Sequence, residues 1–398
     1  MRSKKWLAST AVTLVVSLAL VACGSGDSED SSTGSGSNGD SAALVASAEQ
    51  LVERAQQGLT YSSTDTPDTP DQIETYGDWR GPTDAPEIKK GANVQVIVCT
   101  KQAVACMEGA QGVVDAGKAL GWKVEVIDGG GTPEGNAKAF DTAFSRNPDA
   151  IVGIAVPALA VGDKLEEARA RGIITSVTGD IPPTGGETAY DSIVSFRMTL
   201  MMSTIGFAEI ARTDGKANSI VVTDSGTPSL VEAMGQYKKV LDTCSGCDYT
   251  DVSWTISDAV DPTKVTSIVT GAISQNPNAT SIVVPYAIGL PAVIQAVASA
   301  GKADQIKVIT KDADAVGLQA VAEDQVIYNS GASATWAGWA VADQLVRGLA
   351  GAPYLDVDEI GLGLMFFIKD NVPSDGKIDS AEGMIDYASF YKKAWGLS

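Results

Sequence analysis

The chain has 398 residues, with 29 Lys and Arg against 49 Asp and Glu, a formal net charge of −20. So acidic a chain without a basic stripe argues against a nucleic-acid partner. It holds no histidine and five cysteines, so Ser/His/Asp and Cys/His catalysis lacks its base, the common zinc patterns lack ligands, and no metal or cofactor is expected.

Taken in chain order, "MRSKK" is a cationic stub, residues 6–20 are an apolar run, and "LVAC" ends on Ala22 and Cys23. This is the pattern of a secretory signal peptide over residues 1–22. The Leu-x-Ala-Cys box resembles the lipoprotein signal, and that resemblance implies cleavage before Cys23, whose thiol carries the lipid anchor. Residues 24–41 hold no apolar side chain; a segment that buries nothing cannot offset its ordering entropy, so 23–41 reads as a flexible anchored tether. Residues 42–91 form an N-terminal extension, and roughly 300 residues beyond Gly77 are enough for two lobes.

Outside the cytoplasm disulfides form and persist. With Cys23 assigned to lipid, Cys99 with Cys106 and Cys244 with Cys247 remain. A low-pKa redox thiol at Cys106 is the rival reading, but the compartment, the even count and the missing histidine favour staples. A Cys99–Cys106 bridge would frame the loop holding Thr100, Lys101 and Gln102.

From residue 94 one unit repeats. Strands are expected at 94–99, 122–128, 149–156 and 173–180, alternating with helices at 107–121, 133–147 and 161–172. The pattern restarts with a helix at 197–212. Strands follow at 219–224, 251–256, 280–285, 306–312 and 325–332, with helices at 228–243, 262–276, 289–301 and 315–324. Short β-branched runs alternating with amphipathic helices predict an α/β fold of two doubly wound parallel-sheet lobes. Ligands in such sheets bind beyond the carboxyl ends of the strands. "GGGTPEG" at 129–135 lacks the lysine of a phosphate loop and reads as a turn.

Several stretches resemble one family, the type I periplasmic solute-binding proteins of ABC importers, in the ribose/galactose-type sugar-binding branch. They are "GAQGVVDAGKALGWKVEVID", "RNPDAIVGIAVPALAVGDKLEEARARGIITSVTGD", "IVVPYAIGLPAVIQAVASAGKADQIKVITKDADAVGLQAV" and "GLMFFIKDNVP", spread over about 93–372. The resemblance implies Asp180 and Asp312 as acceptors of ligand hydroxyls at strand ends. An aspartate after a strand is also an ordinary turn or cap residue. It further implies contributions from Thr100, Lys101 and Gln102, from Pro157, and from Asp224 and Ser225. Tyr286 stands where the family often has Asn, and Glu232 and Ala233 stand where it often has Arg, which leaves room for a polyol, a deoxysugar or a nonsugar.

Trp336 could supply a stacking wall, although its i, i+3 spacing with Trp339 is normally that of a core face, the reading the spacing favours. Trp79 is expected to pack across the back of the hinge. The implied division is an N-terminal lobe of 92–195 plus 333–362, a C-terminal lobe of 196–332, and a segment 363–398 returning to the hinge and the second lobe. Crossings are expected near Ser195, Ala332 and Gly361. The expected function is a monomeric, lipid-anchored, non-enzymatic protein that captures a sugar or polyol and hands it to an ABC permease. A sensory receptor and a binder of an aromatic or other nonsugar solute are the alternatives.

Overall fold

The computed structural model describes residues 36–181 and 189–397. Cys23, the signal segment and most of the tether lie outside them. Helix α1 (Gly36–Ala55) begins inside the stretch expected to be tether and runs on into the extension, which continues with a small antiparallel pair, β1 (Leu59–Tyr61) and β2 (Glu74–Tyr76).

A five-stranded sheet follows: β3 (Asn93–Val98), β4 (Lys123–Asp128), β5 (Ala150–Ile154), β6 (Ile174–Thr178) and β7 (Ser192–Val194). Its helices are α2 (Val104–Leu120), α3 (Pro133–Phe144) and α4 (Ala158–Ala170). The strand order is β4-β3-β5-β6-β7 and every pairing is parallel. Every residue of β5 is buried, as expected for a central strand with helices on both faces.

The second unit comprises α5 (Met198–Arg212), β8 (Asn218–Asp224), α6 (Pro228–Asp242), β9 (Asp248–Trp254), α7 (Ile256–Ala259) and α8 (Pro262–Gln275). It continues through β10 (Ser281–Val283), α9 (Leu290–Ser299), β11 (Lys307–Lys311), α10 (Ala315–Ala322) and β12 (Tyr328–Gly331). The chain then returns to the first unit as α11 (Ala334–Ala350), makes a short turn α12 (Val357–Ile360), adds β13 (Met365–Phe367) to the second sheet and closes with α13 (Tyr387–Ala394). The second sheet runs β13-β12-β11-β10-β8-β9, parallel except at the β12–β13 edge. The two doubly wound lobes are therefore present, with one antiparallel strand that the alternating pattern does not announce.

The chain passes between the sheets at 195–197, 332–333 and 361–364. Glycines hold α11 close to α2: a Cβ on Gly112 would stand 2.1 Å from Thr335 O, and one on Gly338 would stand 2.4 Å from Gly109 O. Only hydrogen fits at either position.

The extension is a strap over this junction. Ala48, Leu51 and Ala55 of α1 are buried in the main core, with α1 on α5, and Thr60 N–H donates to Leu364 O at 2.7 Å. Buried Arg197, at the first crossing, donates to Asp65 Oδ1 at 2.9 Å and to Ser62 O at 2.5 Å. Its guanidinium also lies 3.7 Å from Asp358. Trp79 stacks on Trp336 and Phe390, with centroids 5.9 and 4.9 Å apart, and Lys89 pairs with Asp149 of the first lobe at 2.6 Å.

Candidate functional site

A cavity of about 690 Å³ lies between the lobes, at the carboxyl ends of both sheets. From the C-terminal lobe, β8 delivers Asp224, which is 1 % exposed. Its carboxylate accepts from Tyr286 Oη–H at 2.8 Å and from Gly226 N–H at 2.8 Å. Burial raises its pKa and these two donors oppose the rise. The Tyr286 ring is fixed in turn by stacking on Trp254, with centroids 5.9 Å apart.

Strand β11 delivers Lys311, 1 % exposed, whose Nζ donates to Asp312. Asp312 and Ala313 both take positive φ, 86° and 53°, so the chain leaves the strand in a sharp, costly turn. That turn is held by Asp312 N–H to Ser330 O at 3.0 Å and Ala313 N–H to Asn329 Oδ1 at 2.9 Å. Asp314 then caps α10 through Gly317 N–H at 2.7 Å. Burial, with Asp312 adding to it, pushes the Asp314 pKa up to about 6.

The wall from the N-terminal lobe differs in kind. It comprises the Cys99–Cys106 disulfide, Ala103 and Val104, then Pro157 and Leu159 at the head of α4. Its polar groups are Thr132, whose hydroxyl caps Gly135 N–H at 3.0 Å, and Asn136, whose buried Oδ1 has no partner among the described residues. Opposite, the buried Ser229 Oγ is likewise unpartnered. Phe196, Met198 and Met201 close the cavity at the hinge.

Of the residues expected from sequence, Pro157, Asp224, Tyr286 and Asp312 line the cavity. Thr100, Lys101 and Gln102 lie beside it within the disulfide-bridged loop. The Lys101 and Gln102 side chains are exposed, and backbone Lys101 N–H donates to Asp128 at 3.1 Å. Asp180 is outside the lining and serves as a helix cap, accepting from Ala158 N–H at 2.8 Å. Ser225 bonds Trp254 O through its N–H at 3.1 Å, also away from the lining. Trp336 is a core residue, fully buried and stacked between Trp79 and Tyr387.

Sequence reasoning missed Lys311, Asp314, Asn136 and Ser229. The last two had a usable signal: "GTPEGN" and "GTPSLV" each set Thr-Pro at a helix start, placing a polar side chain in the first turn beside the strand ends. Both disulfides, Cys99–Cys106 and Cys244–Cys247, are present.

Residues 96–353 match the family model of the periplasmic binding protein domain. The chain belongs to this family. Comparison with curated protein sequences gives no match. Solved structures share the type I periplasmic binding protein fold. One is a 5-methylthioribose transporter solute-binding protein from Thermotoga lettingae, in complex with 5-methylthioribose; at 16% identity and TM-score 0.64, the match covers 77% of this chain and all of that one. Another is an ABC transporter solute-binding protein from Burkholderia graminis in complex with D-arabinose, at 18% identity and TM-score 0.63, over 72% of this chain and 98% of that one. A third, from Agrobacterium vitis with bound allitol, gives 17% and 0.59, over 71% and 97%. These periplasmic binding proteins are matched over almost their whole length while a quarter or so of the present chain is left over.

Proposed function

We propose that this is an extracytoplasmic solute-binding lipoprotein of an ABC importer, a binding protein and not an enzyme. It is anchored through Cys23, and captures a sugar or polyol between its lobes for delivery to a permease. The lobes are taken as 92–195 with 333–362, and 196–332, with 363–398 returning to the hinge and the second lobe; the working form is a monomer. The observation that carries the reading is the cavity between the strand ends, with the buried Asp224–Tyr286 pair and Asp312 facing into it. A carboxylate accepts from hydroxyl donors, and charge-assisted bonds of that kind are the strong ones. The fold neighbours named for D-arabinose, allitol and 5-methylthioribose support this ligand class.

A thermal-shift screen of sugars, polyols, aromatic acids and amino acids tests it, because a ligand that binds only the folded state raises the melting temperature. Sugars or polyols should give the largest shifts. A screen led by amino acids or aromatic acids would replace the ligand class, and a chain recovered without lipid on Cys23 would remove the anchor.

A further inference from the structure

The two walls of the cavity are chemically unequal. Each charged residue of the lining, Asp224, Lys311, Asp312 and Asp314, comes from the C-terminal lobe. The N-terminal lobe contributes no charge there; its polar side chains in the lining are Thr132 and Asn136, and the buried Asn136 Oδ1 has no partner among the described residues. That lobe instead presents large apolar side chains to the opening: Val104 is 38 % exposed at the first position of α2, and Leu159 is 69 % exposed at the second position of α4. Apolar groups left exposed at the mouth of a cleft are where an apolar part of a bound solute gains by leaving water.

We infer that the solute is amphipathic, a polyhydroxy compound whose hydroxyls sit on the C-terminal lobe and whose alkyl, alkylthio or aryl substituent sits against Val104, Leu159 and the Cys99–Cys106 disulfide. This rests on the sugar or polyol reading above and narrows it. A sugar with hydroxyls all round would press several of them onto the apolar wall, and each buried without a partner costs roughly ten-fold in affinity. An apolar substituent in the same place gains about four-fold per buried methylene. The polar wall also sets the sign of the head group. Three carboxylates face one ammonium, and that ammonium is engaged by Asp312, so the wall accepts hydrogen bonds and disfavours a carboxylated or phosphorylated solute.

The test is titration calorimetry of the full chain with parent pentoses and hexoses, their terminal deoxy and 5- or 6-alkylthio derivatives, and their n-butyl and phenyl glycosides. The tightest substituted compound should bind at least ten-fold better than its own parent. Leu159→Ser and Val104→Thr should weaken the substituted compound more than the parent; both positions are exposed, so folding is preserved. Parents binding as tightly as their derivatives would overturn the amphipathic solute while leaving a sugar-binding protein. Binding confined to amino acids or other nonsugars would overturn both readings together.

Discussion

Asp224 is buried, holds two donors and still faces the cavity, so its remaining lone pairs are the strongest acceptors offered to a solute hydroxyl. Asp224→Asn should weaken binding by roughly ten- to a hundred-fold, the range for a hydrogen bond to a charged group. Tyr286→Phe should cost less, since it removes an orienting donor and leaves the carboxylate. Affinity unchanged from the parent in both variants, measured by calorimetry, would move the site elsewhere. Two further carboxyls, Glu108 and Asp314, are held well above the usual carboxylate range. Burial, then Asp314 and Asp379, push Glu108 of α2 up to about 7, and Asp314 stands at about 6. A raised carboxyl pKa means the folded state binds the proton more tightly than the unfolded chain. Its contribution is therefore full below the unfolded value and lost as pH rises through the folded one. The melting temperature should fall between pH 5 and 8, and Glu108→Gln with Asp314→Asn should flatten that fall, Asn keeping the α10 cap. Parallel curves for variant and parent would show that other groups set the slope. At this scale the periodic pattern put Asp224 and Asp312 at strand ends and the family resemblance pointed to Tyr286, whereas Asp180, equally a strand-end residue, turned to α4 instead. Lys311 was not legible, because a strand residue directly before an acidic one carries no sign of whether it lies under the sheet or in the cleft.

At the scale of elements, the Cys99–Cys106 bridge ties the end of β3 to α2 across a separation of seven residues. Closing so short a loop limits the unfolded chain and contributes about 2–3 kcal/mol in the chain-entropy account. Cys99→Ser with Cys106→Ser should lower the melting temperature by several degrees, and reductant should then no longer act through this bridge. The same melting temperature with and without the bridge would mean that the loop is ordered by packing alone. The strap depends on Trp79, half-buried against Trp336 and Phe390. Trp79→Ala should cost about 2–3 kcal/mol in denaturant unfolding, at or below the lower end for aromatic truncation because the ring is partly exposed. Gly361 has a φ of 73°, and a Cβ there would meet Gly81 N at 2.3 Å. Gly361→Ala should therefore destabilise the strap where it crosses the hinge; an unchanged unfolding midpoint would contradict that close approach. The helices and parallel strands were readable as periodic patterns. The course of 42–91 was not, since its partners, Leu364, Arg197 and Trp336, lie far along the chain.

For the whole molecule, two sheets are joined by three crossing segments with a cavity between them, and we propose that the lobes close on a solute. A ligand shifts that equilibrium only through its differential affinity for the closed form. Small-angle scattering should show a smaller radius of gyration at saturating ligand; saturation without any change would refute lobe closure. The extension adds a constraint, because it touches α5 of one lobe, the crossings themselves, and Trp336 and Asp149 of the other. Any closing motion must carry the strap with it.

The sequence by itself determined the alternation of strands and helices, hence two parallel doubly wound lobes, and the placing of Asp224, Tyr286 and Asp312 at strand ends. These are local consequences of hydrophobic period and of where a strand stops. Only the tertiary structure decided that Asp180 caps a helix, that Trp336 is core, that Lys311 lies under the site, and that one wall of the cavity is charged and the other apolar. Each of those depends on which surfaces meet across long stretches of chain, and packing, not periodicity, chooses the partners.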